Sequence, residues 1–188
     1  MRKKLGLILI FIFLLVFTSQ SFADKFKLAG TLGYYSVSDS IYKETYSSGN
    51  LMFGAYLNYE LFRFLEVMAE ASFYQDKGEM TLTKEEIKFT ITPLVLAIRG
   101  KLPNMKTVTP YLGVGLEYFL YKEALPDRFE DVSESTVGFH VEAGLYLNIL
   151  KSLFLDLNFR YIQADTKPFD ETIKLGGWRA GLGIGFQF

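Results

Sequence analysis

The 188-residue chain contains no cysteine, one histidine and one tryptophan. The absence of cysteine excludes a structural disulfide, thiolate metal ligation, a CxxC redox pair, c-type haem attachment and the acylated cysteine of a bacterial lipoprotein. A single imidazole, His140, leaves any histidine-based metal set without a second histidine. Charge of one sign is scarce too. With 20 basic and 21 acidic side chains the formal net charge is −1, which offers nucleic acid no electrostatic footing. Long hydrophobic runs are almost missing: beyond the N-terminus no stretch reaches the ~18 apolar residues a membrane-crossing helix needs.

The one apolar run belongs to the leader. Arg2, Lys3 and Lys4 precede an unbroken apolar stretch from Leu5 to Phe17, and Ser21-Phe22-Ala23 places small residues at the two positions a signal peptidase reads. This is the pattern of a secretory signal peptide, residues 1–23, cleaved after Ala23. An N-terminal membrane anchor is the alternative, but a helix from Leu5 to Phe17 would span only about 20 Å of a ~30 Å hydrocarbon core. The leader takes three basic side chains and no acidic one with it, so the mature domain, 24–188, is more acidic than the whole. An exported domain with no apolar helix can enter a membrane only as a closed barrel, the other structure that pairs every backbone group in lipid.

What the chain has in quantity is alternation. Hydrophobic residues make up 49% and aromatics 16%, yet 22% are charged, and from Phe26 onward these classes are dealt out with period two, the signature of two-faced strands. Phe26, Leu28, Leu32 and Tyr34 oppose Lys27, Ala29, Thr31 and Tyr35, and Leu51 to Tyr59 and Leu65 to Phe73 repeat the pattern. A fourth strand reads Ile87, Phe89, Ile91, then Leu94, Leu96, Ile98; the one-residue slip at Thr92-Pro93 predicts a bulge. Strands starting near Tyr111, Val137, Leu153 and Gly177 complete a set of eight, with no convincing amphipathic helix. Links after strands one, three, five and seven are long and polar, and those after two, four and six are shorter, which is the loop plan of an outer-membrane barrel with both termini on the periplasmic side.

Alternation alone fits a soluble barrel equally well, so the composition of the faces decides. The polar face mixes Gly54, Gly113, Gly115, Gly144, Gly177, Gly181, Gly183 and Gly185 with tyrosines and isolated charges. A narrow lumen needs that economy of space, whereas a solvated exterior would be rich in Lys and Glu. The other face is nearly charge-free, and its aromatics gather toward strand ends, as membrane interfaces favour. The chain resembles the small outer-membrane β-barrel proteins of Gram-negative bacteria, the eight-stranded OmpA/OmpX/OmpW-like group. The resemblance spans the mature chain and rests on the leader, on Pro110-Tyr111-Leu112-Gly113-Val114-Gly115 opening a strand, and on Gly181-Leu182-Gly183-Ile184-Gly185-Phe186-Gln187-Phe188 at the end. It implies that Phe186 and Phe188 form the C-terminal signal read by the barrel-assembly machinery, and that lipid and lipopolysaccharide are the surroundings.

The fold expected is therefore all-β, an eight-stranded antiparallel transmembrane barrel preceded by a cleavable signal peptide, in the outer membrane of a Gram-negative bacterium. Its inward charges form the candidate site: Glu70, Glu117, Glu142, His140, Arg160 and Arg179 at middle depth, Asp156 a little lower, Arg99, Lys101 and Glu66 nearer the periplasm. Unpaired, each would cost several kcal/mol, so a mutually neutralising network that plugs the lumen is expected. A gate whose ion pairs re-partner to pass ions is the competing reading. His140 and Glu142 at i, i+2 invite comparison with outer-membrane lipid A deacylases, which carry His and Ser at that spacing on the lipid side; here the second residue is Glu and the pair faces inward. The glycine-rich strands precede no helix and hold no phosphate. The acidic loop with Glu123, Asp127, Glu130, Asp131 and Glu134 lacks EF-hand spacing and reads as solvated, Ca²⁺ or a divalent bridge to lipopolysaccharide being the alternative. Tyr42, Tyr46 and Phe129 are loop aromatics open to a partner.

A structural or surface-interaction role without catalysis, metal or cofactor is thus expected, with a narrow channel, a lipid A-modifying enzyme and a soluble periplasmic barrel as alternatives. N-terminal sequencing of the membrane-extracted protein is expected to begin at Asp24; a start at Met1 would favour the anchor.

Overall fold

A computed structural model of the chain describes residues 25–39, 42–43, 46, 49–79, 86–102, 107–124, 132–166 and 173–188. The leader lies outside them, as do Phe129 and the centre of the acidic loop. Strands β1 (Phe26–Val37), β2 (Asn50–Phe62), β3 (Leu65–Glu79), β4 (Glu86–Lys101), β5 (Val108–Ala124), β6 (Val132–Asn148) and β7 (Leu153–Gln163) are followed by a two-stranded hairpin, β8 (Asp165–Thr166) with β9 (Ile173–Lys174), and by β10 (Gly177–Gln187). All eight long strands form one closed antiparallel barrel in the order β1-β10-β7-β6-β5-β4-β3-β2. Closure is made by β1 against β10, in register from Lys27 opposite Gln187 to Val37 opposite Gly177. No sheet edge is left in the barrel, so its ladder satisfies the backbone without water.

Each strand presents its two faces to different solvents. Along β5, Leu112, Val114 and Leu116 are about 60% exposed, while Tyr111, Glu117 and Phe119 on the alternate face are sealed. Apolar side chains outside and charges inside invert the order of a soluble protein, and hydrocarbon is the surrounding that makes this arrangement favourable. Aromatic contacts mark both ends of the apolar band. Phe26 lies against Tyr59 and Phe188 at the short-turn end, and Trp178 against Tyr34 and Phe159 toward the other. Among the described residues no helix is long and apolar enough to cross a membrane.

The bulge expected at Thr92-Pro93 does not form. β4 keeps one register against β5 from Lys88 opposite Ala124 to Lys101 opposite Tyr111, and one register against β3 on both sides of Pro93. Odd-numbered residues of β4 point inward throughout. Ile87, Phe89 and Ile91 are buried, and Leu94, Leu96 and Ile98 face out. The change of apolar phase reflects a change in the lumen, which is polar at mid-height and apolar toward the long loops. A register shift occurs elsewhere, between Glu60 and Phe62 where β2 turns into β3.

Two described segments of the long links carry structure that their polar sequence does not announce. β8 and β9 pair within the fourth long link, and the first link folds back as a turn in which Tyr46 N donates to the Tyr42 carbonyl at 2.8 Å. Arginine placed at Leu116, on the lipid face, is expected to cost about 2–4 kcal/mol if that position sits at the bilayer midplane. Urea unfolding of the refolded barrel in vesicles, with Leu116→Met as the neutral comparison, measures it.

Candidate functional site: the filled lumen

Nine of the ten predicted lumen residues are buried, and Lys101, at the mouth, is partly exposed. Glu66, Glu70, Arg99, Glu117, His140, Glu142, Asp156, Arg160 and Arg179 are each at most 4% exposed. At the centre Arg160 is shared by three carboxylates: Nη2 donates to Glu70 Oε2 at 2.9 Å and to Glu142 Oε2 at 3.1 Å, and Nη1 to Glu117 Oε1 at 3.2 Å. Arg179 donates to Glu70 Oε1 from the next strand, and Ser72 Oγ completes that carboxylate at 2.6 Å. Glu142 is held from its other side by Arg99, Nε to Oε1 at 2.7 Å and Nη2 to Oε2 at 3.1 Å. This two-point pairing is the strong, planar form of the interaction.

The sequence count placed Arg99 near the periplasm, away from Glu142; the register brings them together. Arg99 lies opposite Gly113, and Gly113 opposite Glu142. A Cβ on Gly113 would sit 2.7 Å from Glu142 Oε1, so the missing side chain is what lets the guanidinium reach across β5. Gly115 serves His140 in the same way, since a Cβ there would meet the imidazole Cε1 at 2.6 Å.

Tyrosines carry the network downward, a contribution the reading by charge overlooked. The Arg99 guanidinium carbon lies 5.0 Å from the Tyr56 ring centroid and 4.6 Å from that of Tyr111, and both hydroxyls donate to Asp156, at 2.9 and 2.8 Å. Tyr146 accepts from Arg99 Nη1 at 2.9 Å and donates to Glu66 Oε2 at 3.0 Å. Glu66 in turn pairs with Lys27 and Lys101 at the barrel mouth. All three tyrosines stood on the polar face of the alternation; their spacing carried no further signal.

Above the ionic level the lumen changes character. Tyr35, Val37, Tyr74, Ile91 and Phe119 are fully buried in one cluster with Met52, Phe89 and Ile162. Tyr42 closes it from the loop side, stacked on Tyr46 with centroids 4.7 Å apart and edge-on to Phe89 at 5.3 Å. Its hydroxyl donates to Asp76 Oδ2 at 3.2 Å, and Asp39 Oδ1 accepts from the Tyr42 backbone N–H at 3.0 Å. Tyr42 is therefore a lid rather than an aromatic offered to a partner, which corrects the expectation for this loop; Tyr46 is half-buried beside it. Burial, then the Tyr74 hydroxyl, holds the Tyr42 phenol well above its ordinary pKa, and burial with the Glu123 hydrogen bond does the same for Tyr46. Both stay neutral donors.

Chemically the centre is rich in ion pairs and poor in reactive arrangements. Three guanidiniums meet Glu70, Glu117, Glu142 and Asp156. His140 Nδ1 is 3.0 Å from Glu117 Oε1, an ion-pair distance, yet neither ring nitrogen makes a hydrogen bond. Among the described residues no group of three His, Asp or Glu side chains could hold a metal ion.

The sequence matches the family described as "Outer membrane protein beta-barrel domain" over residues 9–186. The chain belongs to that family. Its fold is also that of solved outer-membrane barrels at low identity. OprG from Pseudomonas aeruginosa superposes with a TM-score of 0.71 at 14% identity, over 88% of this chain and 96% of that one. Neisserial surface protein A gives 0.63 at 15%, over 87% and 97%. Ail of Yersinia pestis, in complex with the heparin analogue sucrose octasulfate, gives 0.58 at 17%, over 88% and 99%. No curated protein matches the chain. Within the family's arrangement the short turns are periplasmic and the long loops extracellular.

Replacing Arg160 by Met leaves three buried carboxylates short of a cation and is expected to cost about 3–5 kcal/mol. A double-mutant cycle with Arg99→Met, read by urea unfolding, is expected to show coupling of about 0.5–3 kcal/mol through their shared Glu142.

Proposed function

We propose that this outer-membrane barrel is a closed membrane element whose role is structural and surface-interactive rather than catalytic. The carrying observation is that two unlike barriers fill the lumen in series. Arg99 and Arg160 are 1% exposed in the ionic level, and Ile91 and Phe119 are 0% exposed in the apolar level above it. An ion that loosened the first would still meet a dehydrated second. Catalysis on lipid A is disfavoured by His140, which is buried in the lumen and followed at i+2 by Glu142 instead of a serine.

The narrow-channel reading draws on one feature. His140 Nδ1 and Nε2, Arg160 Nε and Arg179 Nε have no hydrogen-bond partner although buried, and Arg160, shared among three carboxylates, has alternatives to exchange. The apolar level still stands in series with it.

Two further parts of the proposal concern the leader and the final strand. Export with cleavage after Ala23 delivers the domain to the periplasm, and Phe186 with Phe188 marks the last strand for the assembly machinery; Phe186 is 60% exposed on the lipid face. At the extracellular rim, acidic residues such as Glu123, Glu134 and Asp165 accompany Lys43, Lys122 and Lys174. This mixed rim suits a solvated surface in contact with lipopolysaccharide, and it does not favour a sulfated polyanion of the kind in complex with Ail.

Planar bilayers test the closed lumen. The wild-type barrel is expected to give no conductance steps above background, and Arg160→Ala alone to leave it silent because the apolar level remains. Steps from the wild type that change in Arg160→Ala would replace this reading with the channel.

A further inference from the structure

The periplasmic mouth opens into a vestibule of about 710 Å³, within the range of small-molecule sites. Tyr146 and the buried Glu66 close it toward the ionic level. Lys27 reaches into it from β1 and Lys101 from β4, both anchored on Glu66 Oε1, with Lys101 also paired to Glu60. An ammonium has three donors. Lys27 pairs with Glu66 and stands 4.8 Å from the Tyr146 ring centroid, and Lys101 pairs with both glutamates, so each ammonium lines the cavity from a fixed position with a donor that neither glutamate takes.

Arg63, in the β2–β3 turn, lines the same space and makes no hydrogen bond or ion pair among the described residues. Its planar fork suits a carboxylate bidentately. Among the described residues of the vestibule, Lys27, Arg63 and Lys101 against Glu60 and Glu66 leave one positive charge over, which matches a monoanion better than a dianion. Beside it stand Thr109 and Asn148, able to donate and accept, and Phe64 and Leu102 as apolar wall.

We propose that this vestibule binds a small monocarboxylate carrying an amide, of the kind found at the C-terminal end of a short peptide, from the periplasmic side. The carboxylate pairs with Arg63 and the free donors of Lys27 and Lys101. The amide meets Asn148 and Thr109, and a short aliphatic side chain covers Phe64 and Leu102. The site is independent of whether the lumen conducts, because it lies on the periplasmic side of both barriers. It requires only that this mouth be accessible.

The test is a titration of the full refolded barrel in a neutral sugar detergent, followed by amide NMR shifts. N-acetyl-Ala-Ala is the probe, N-acetyl-Ala-Ala-amide its uncharged twin, and sodium chloride and inorganic phosphate are further arms. Saturable shifts at Lys27, Arg63, Thr109 and Asn148 are expected with the acid, at least tenfold weaker with the amide, and absent with chloride at equal ionic strength. Arg63→Ala, at a turn residue without a structural partner among the described residues, is expected to weaken binding at least fivefold with the spectrum otherwise unchanged, whereas Lys174→Gln at the extracellular end leaves it intact. No saturable shift, equal response to acid and amide, equal response to chloride, or binding of phosphate in place of the acid would each overturn the proposal.

Discussion

An eight-stranded barrel closes around a space barely wider than the side chains that fill it. Whatever points inward must therefore meet what points inward from across the ring, and a charge there has neither water nor distance to screen it. The structure meets this constraint by giving carboxylates shared cations. Glu142 is gripped by Arg99 from one side and Arg160 from the other, while Glu70 is gripped by Arg160 and Arg179. Removing one member leaves its partners short of compensation in a place water does not reach, so the pairs behave as one unit. Tyrosines carry that unit to Asp156 and Glu66, and through Glu66 to the lysines of the mouth.

The same narrowness explains why the lumen is layered. Hydrogen-bonded ion pairs occupy the middle, where the membrane forbids any exchange with bulk water. Toward the loops, side chains drawn from β1, β3, β4 and β5 converge on an apolar cluster, and the first loop lays Tyr42 over it. Loop and lumen are thus one packed object at that end. At the other end the vestibule is left open, its polar groups partly unengaged.

Period-two alternation made the barrel legible: strand number, lipid face and the inward position of the mid-barrel charges followed from it, because each is a property of one strand read alone. Contacts across strands were less accessible. Arg99 was placed by counting along β4, but its partner is set by the register through Gly113, which involves three strands at once. In β4 the rule that polar means inward misled at Ile87, Phe89 and Ile91, since the lumen itself turns apolar there. Tyr42 carried no local sign that it would fold back over the barrel, and the β8–β9 pairing sat within a stretch too polar and short to announce itself.

Gly113 has a consequence for how such a chain can drift. Its empty Cβ position is the passage through which Arg99 and Glu142 meet. A side chain acquired there would force one of the two aside, and shortening either would cost the other its two-point partner. Residues 99, 113 and 142 are therefore free to vary only in concert. A lineage that keeps the ion pair keeps the glycine with it.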